Sequence, residues 1–173
     1  MKNIFLTGAP GVGKTTVLLK VVESLGLKAG GFFTREIRKG GKRIGFAVQD
    51  FSGQKGALAG VDIKSPYRVG KYGVDLGTFE GIGVRAVEDA IKDADLIVID
   101  EIGKMELFSR RFQESVVRAL DGPKPVLGTI IHRPHLFADT IKQRPDVEII
   151  RVTLENRASL TGRIKKELVN RDN

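Results

Sequence analysis

Gly8-Ala9-Pro10-Gly11-Val12-Gly13-Lys14-Thr15 reads as G-x-x-x-x-G-K-T and follows directly on the apolar run Ile4-Phe5-Leu6. Glycines let a backbone wrap closely enough to aim several N–H groups at one anion, and the Lys14 ammonium adds a mobile positive charge. The Thr15 hydroxyl is the expected Mg²⁺ ligand, with Thr16 beside it. Working outward, Lys2 to Thr7 reads as a buried strand. Thr15 to Leu25 reads as a helix with Val17, Leu18, Val21, Val22 and Leu25 on one face, stopped by Gly26. The helix dipole then points its positive end at the loop. Strand, glycine loop and helix in this order form a phosphate-binding loop, and no other stretch of the chain carries so specific a signal.

Composition narrows the remaining choices. A length of 173 residues with 41% hydrophobic content favours a single domain over residues 1–173, with a core that needs no disulfide or metal. The absence of cysteine excludes a thiolate zinc site, and His132 and His135 are too few for most other cages, so the expected metal is nucleotide-bound Mg²⁺. No apolar run approaches the ~20 residues of a membrane span, and the first strand leaves no room for a signal peptide, so the expected location is cytoplasmic. A monomer is favoured. The formal net charge of +8 attracts phosphate backbones, and Arg38-Lys39-Gly40-Gly41-Lys42-Arg43 is the best local candidate for such a contact. With aromatic residues at 6%, however, a stacking platform for nucleic acid is not expected.

Further along, Gly31 to Asp50 reads as an antiparallel hairpin turning at Gly40-Gly41, and the Gly-rich segment Gly70 to Gly83 is the expected mobile loop. A helical pattern runs through Val84, Val87 and Ile91 before the continuous apolar strand Leu96-Ile97-Val98-Ile99. Ser109 is placed to cap a helix burying Phe112, Val116, Val117 and Leu120. A strand over Val126 to Ile131, a short helix around Leu136 to Ile141, a strand over Val147 to Val152 and a last helix carrying Leu160, Ile164 and Leu168 complete the chain. The alternation predicts an α/β fold: a mostly parallel sheet with helices on both faces, the hairpin extending one edge, and ligands at the carboxyl ends of the strands.

One such end carries acid. Asp100 and Glu101 close the strand Leu96 to Ile99, the Walker B pattern, in which an aspartate serves Mg²⁺ and the next carboxylate polarises an attacking water. Glu106 is an alternative base. Asp100-Glu101-Ile102-Gly103 also fits the D-x-x-G element of switch GTPases, but the N-K-x-D element that reads guanine in those proteins is missing, which argues against a dedicated GTP switch.

The chain resembles the small nucleoside-triphosphatases called THEP1. The likeness lies in Gly8 to Thr16, in Gly31-Phe32-Phe33-Thr34-Arg35-Glu36-Ile37-Arg38, in Tyr72-Gly73-Val74, in Ile99-Asp100-Glu101-Ile102-Gly103-Lys104-Met105-Glu106-Leu107 and in Thr153-Leu154-Glu155-Asn156-Arg157. The resemblance implies a RecA-like P-loop NTPase fold and Mg²⁺-dependent hydrolysis of ATP, GTP and other nucleoside triphosphates to diphosphate and phosphate, with little choice of base. It assigns phosphate binding to Gly8 through Thr15 and nucleotide contact to Asp100 through Leu107. In a RecA-like sheet Val126 to Ile131 inserts between the strand before the glycine loop and the strand before Asp100, which brings Thr129 or His132 near the γ-phosphate. Arg35, Arg38, Arg110, Arg111, Arg133 and Arg157 are candidates to stabilise phosphoryl charge. Asn156-Arg157 opens the last helix, where P-loop proteins often rest the base, and an arginine stacked flat on a base ignores its identity. Two other functions fit the loop, a small-molecule or nucleotide kinase and a nucleic-acid-stimulated ATPase.

Overall fold

In the computed structural model, which describes residues 3–170, every strand joins one nine-stranded sheet. β1 (Asn3–Thr7) is buried throughout, with Ile4 and Leu6 on one face of the sheet and Phe5 on the other. The expected start at Lys2 lies outside the described residues. α1 (Lys14–Leu25) follows the glycine loop and ends at Gly26, whose left-handed φ of 63° closes its last turn. β2 (Ala29–Lys39) and β3 (Lys42–Asp50) form the antiparallel hairpin, turning through Gly40 and Gly41, both at positive φ.

Next come β4 (Lys55–Gly60), β5 (Arg68–Val69), β6 (Tyr72–Val74) and α2 (Leu76–Phe79). A single π turn over Glu80–Val84 leads into α3 (Arg85–Asp93). β7 (Leu96–Ile102), a 3-10 turn over Glu106–Phe108, and α4 (Arg110–Asp121) carry the acidic segment. β8 (Val126–Ile130), α5 (Leu136–Lys142), β9 (Val147–Arg151) and α6 (Arg157–Val169) complete the fold. Ser109 accepts a hydrogen bond from the Phe112 N–H at 3.0 Å, capping α4 as expected.

The strand order is β5-β6-β4-β3-β2-β7-β8-β1-β9. β2, β7, β8, β1 and β9 run parallel, so their carboxyl ends emerge along one edge of the sheet. β8 lies between β7 and β1, the insertion expected of a RecA-like sheet. α1 and α6 cover one face, burying Val17, Leu18, Val21, Leu160 and Ile164. The other face packs against α2 through α5, where Phe32, Phe79 and Phe112 meet edge to face at centroid distances of 5.1–5.8 Å.

Three expectations need correction. The antiparallel part is larger than an edge hairpin: β2 is internal, and β3, β4, β6 and β5 extend the sheet beyond it, leaving β5 at the margin. β4 escapes a reading of alternation because Lys-Gly-Ala-Leu-Ala-Gly offers mostly small side chains. Gly70 to Gly83 is not an irregular loop, since it supplies β6, α2 and most of the π turn and buries Tyr72, Val74 and Phe79. On α4 the buried face runs through Ser115 and Ala119 as well as Phe112, Val116 and Leu120, while Val117 is only half-buried.

The join between the two halves of the sheet depends on Gly31, which pairs with Val98 at a φ of 107°. A Cβ there would run into the Val98 carbonyl oxygen, backbone against backbone. Gly31→Ala therefore combines a disfavoured φ with a clash that no rotamer relieves, and its cost is about 3 kcal/mol or more. Thermal unfolding is expected at least about 6 °C lower than in the parent protein; an unchanged midpoint would contradict the β2–β7 register.

Candidate active site

The carboxyl ends of β1, β7 and β8 bring together the residues that the sequence separates. Gly8 is buried where β1 turns into the loop, and a Cβ on it would lie 2.7 Å from the Val152 carbonyl oxygen, so only glycine fits between the loop and the end of β9. Ala9, Pro10 and Gly11 are exposed, and Val12, Gly13, Lys14 and Thr15 are half-buried at the start of α1 with Thr16 outside them. Lys14 Nζ donates to the carbonyl oxygens of Gly8 (2.9 Å) and Ala9 (3.2 Å), which holds the ammonium across the mouth of the loop.

Asp100 is 1% exposed and accepts from three donors. The Thr15 hydroxyl lies 2.9 and 3.1 Å from its two carboxylate oxygens, the Thr129 hydroxyl donates to Oδ1 at 2.6 Å, and the Thr34 backbone N–H to Oδ2 at 3.2 Å. Four separate chain segments thus meet on one carboxylate. Burial pushes its pKa up, opposed by the hydrogen bonds of Thr129, Thr34 and Thr15 and by the charge of Lys14. The pairing of β7 with β8 shifts register between Ile99 and Ile102, and the Asp100–Glu101 peptide is cis.

Glu101 is half-buried, and burial together with the neighbouring Asp100 charge raises its pKa. Glu106 is 5% exposed and lies well above the ordinary carboxylate range, through burial first and then the charge of Glu101. Both carboxylates border Gly103: the position of its absent Cβ lies 3.0 Å from Glu106 Oε2 and against Glu101 Oε1. Of the remaining residues in this segment, Ile102 and Leu107 are buried in the hydrophobic cluster, Met105 is half-buried against it and Lys104 is exposed. Their side chains divide between holding the loop and facing solvent.

Other candidates separate by position. Thr129 reaches Asp100, whereas His132 is exposed beyond the end of β8. Arg110 and Arg111 pair with Glu114 and Glu88 on the outside of the fold, Arg38 pairs with Glu36, and Arg133 is exposed after β8. Arg35 directly follows Thr34 and lies over the Phe33 ring at 5.2 Å. Arg157 Nη1 donates to the Val12 carbonyl oxygen at 3.3 Å, against the phosphate loop. Asn156 is occupied in the turn before it, accepting from the Thr153 N–H and donating to the Arg151 carbonyl oxygen, both at 2.8 Å, and so fixes where Arg157 begins α6. The contact that sequence reasoning missed is the Thr34 N–H, because it exists only through the register of β2 on β7, which no local pattern encodes.

Magnesium fits this donor set. Mg²⁺ in phosphoryl-transfer sites takes one or two protein oxygens, and otherwise waters and substrate phosphates. Thr15 and Asp100 supply that minimal pair beside the phosphate loop, and among the described residues no group of three or more His, Cys, Asp or Glu forms an all-protein cage.

A glycine loop between β1 and α1, an acidic partner on β7 and a strand inserted between them define a P-loop NTPase. The nucleoside-triphosphatase family model matches residues 3–165. Nucleoside-triphosphatase THEP1 of Thermotoga sp. (strain RQ2) is 51% identical, with 94% of this chain and 92% of that protein covered. A cancer-related nucleoside-triphosphatase of Homo sapiens is 42% identical, covered to 92% on both sides. The crystal structure of THEP1 from the hyperthermophile Aquifex aeolicus superposes with a TM-score of 0.89 at 38% identity, covering 96% of this chain and 98% of that one. This chain belongs to the THEP1 family of nucleoside-triphosphatases.

Proposed function

We propose that the chain hydrolyses ATP, GTP and other nucleoside triphosphates to diphosphate and phosphate in a Mg²⁺-dependent reaction with little preference for the base. Family membership supplies the reaction class, and the contact of Thr15 with Asp100 beside Lys14 carries the assignment of the site. In this reading the loop from Gly8 to Thr15 holds the phosphates, and Lys14 leaves the Gly8 and Ala9 carbonyls to meet the β- and γ-phosphate charge. Bound Mg²⁺ neutralises charge on the phosphate oxygens. Asp100, fixed by Thr15, Thr34 and Thr129, orients that region, and Thr129 keeps the Asp100 side chain from turning away.

Glu101 is the residue assigned to take a proton from the attacking water. It stands next to Asp100 and is half-exposed, while Glu106 is too deeply buried to meet that water directly. A raised carboxylate pKa suits a base, since it brings proton affinity closer to the working pH. For the base, Arg157 offers a flat cation beside the loop, which does not read base hydrogen bonds.

Phosphate release measured on ATP, GTP, CTP and UTP, with Mg²⁺ or with excess chelator, tests this reading. Specificity constants within about tenfold of one another are expected, a spread of roughly 1.4 kcal/mol in transition-state binding. Chelation is expected to abolish turnover. Preference for one base by more than about 100-fold, or full activity in chelator, would overturn it.

A further inference from the structure

We infer that the antiparallel extension carries a binding surface for single-stranded nucleic acid, distinct from the nucleotide site and adjoining it. The basic hairpin tip is not a loose turn. Glu36 on β2 holds Arg38 (2.7 Å) and Arg43 (3.1 Å), and Arg43 in turn donates to the Tyr72 hydroxyl on β6 at 2.9 Å. The Arg43 guanidinium lies 5.0 Å from the Phe46 ring centre, and the Lys71 ammonium lies 5.5 Å from that of Tyr72. One carboxylate thus organises two guanidiniums, and the cluster keeps a net positive charge. Its members come from β2, β3 and the turn between β5 and β6, linked through the Arg43 side chain. Three cations in one cluster suit successive phosphates of a polymer.

The aromatic content is low, but its placement is uneven. Tyr67 and Phe108 are 40% and 39% exposed, and their rings stand 5.4 Å apart at 46°. Tyr67 is tied to the same sheet extension through its carbonyl, which accepts from the Val74 N–H at 2.8 Å, two residues from Tyr72. Phe108 belongs to the turn that carries Glu106. Half-exposed rings on the same sheet extension as a fixed basic cluster are the combination that binds single strands, with bases on the rings and phosphates on the cations. Charge alone would attract any polyanion; the rings are what select bases.

The test is binding, read without nucleotide so that it stands apart from the hydrolysis reading. Fluorescence anisotropy with labelled oligouridine and oligothymidine of about 12 nucleotides is expected to show saturable binding. Neutralising three phosphates predicts that affinity falls about 20-fold between roughly 50 and 200 mM salt. Tyr67→Ala is expected to weaken binding at least about fivefold and Tyr67→Phe to restore it, because the ring and not the hydroxyl stacks. Heparin, which has charge without bases, is expected to bind the parent protein and Tyr67→Ala equally. Absence of oligonucleotide binding at low salt overturns the proposal. So does equal binding of oligonucleotide by Tyr67→Ala and parent, which would mark the surface as a polyanion adsorber only.

Discussion

Lys14→Ala is expected to yield a folded protein whose phosphate release is slower by about 10²- to 10³-fold or more, the loss typical when a preorganised donor to developing charge is removed. The Lys14 ammonium makes its contacts with the carbonyl oxygens of Gly8 and Ala9, at the mouth of the loop and not in the core. Alanine is also the better helix former at the first position of α1. The unfolding midpoint without nucleotide should therefore stay within a few degrees of the parent. Turnover is a different matter, since among the described residues Lys14 alone bonds the Gly8 and Ala9 carbonyls, whereas Arg157 donates to the Val12 carbonyl. Steady-state phosphate release on MgATP, paired with circular dichroism melting, reads both quantities. Near-parent turnover in a protein that melts normally would remove the phosphate loop from the reaction.

How far the sequence discloses this site depends on how local each cue is. The loop was legible because glycine spacing, Lys14 and the following helix all sit within one short stretch and report a single backbone geometry. The strand ending in Asp100 was legible for the same reason: a continuous apolar run with an acid at its end is a local pattern. RecA-like strand order, taken from the resemblance, put β8 between β1 and β7 with Thr129 or His132 expected near the γ-phosphate; the Thr129 hydroxyl proves to bond Asp100, while His132 is exposed. What escaped is non-local. The Thr34 N–H reaches Asp100 only because Gly31 lets β2 pair with β7 in one register. β4, β5 and β6 are short and rich in small residues, so neither alternation nor apolar runs announce them, and their pairing is stabilised by neighbours instead of by their own pattern. The Tyr67 and Phe108 pair joins residues far apart in the chain, and an average aromatic content conceals it.

Glu101→Gln separates chemistry from binding. Glutamine keeps the size and the polar character of the half-buried side chain but cannot take a proton, so loss of a general base predicts turnover lower by about 10²- to 10⁴-fold. Binding should survive, because the carboxylate fixed by Thr15, Thr34 and Thr129 is that of Asp100, and the Lys14 loop is untouched. It should even tighten slightly, since the substitution removes one negative charge beside Asp100, where burial first and then the Asp100 charge raise the pKa of Glu101. Glu106→Gln is the necessary companion. Glu106 is 5% exposed and borders Gly103 together with the half-buried Glu101, so neutralising it relieves charge repulsion without removing the more accessible carboxylate. It is expected to cost less than about tenfold in turnover, well short of a lost base. Equilibrium binding of a fluorescent MgATP analogue, measured beside single-turnover phosphate release for both variants, distinguishes the assignments. If Glu106→Gln were the inactive variant and Glu101→Gln the active one, the proton would travel through the buried carboxyl, and the roles given to the two residues would be exchanged.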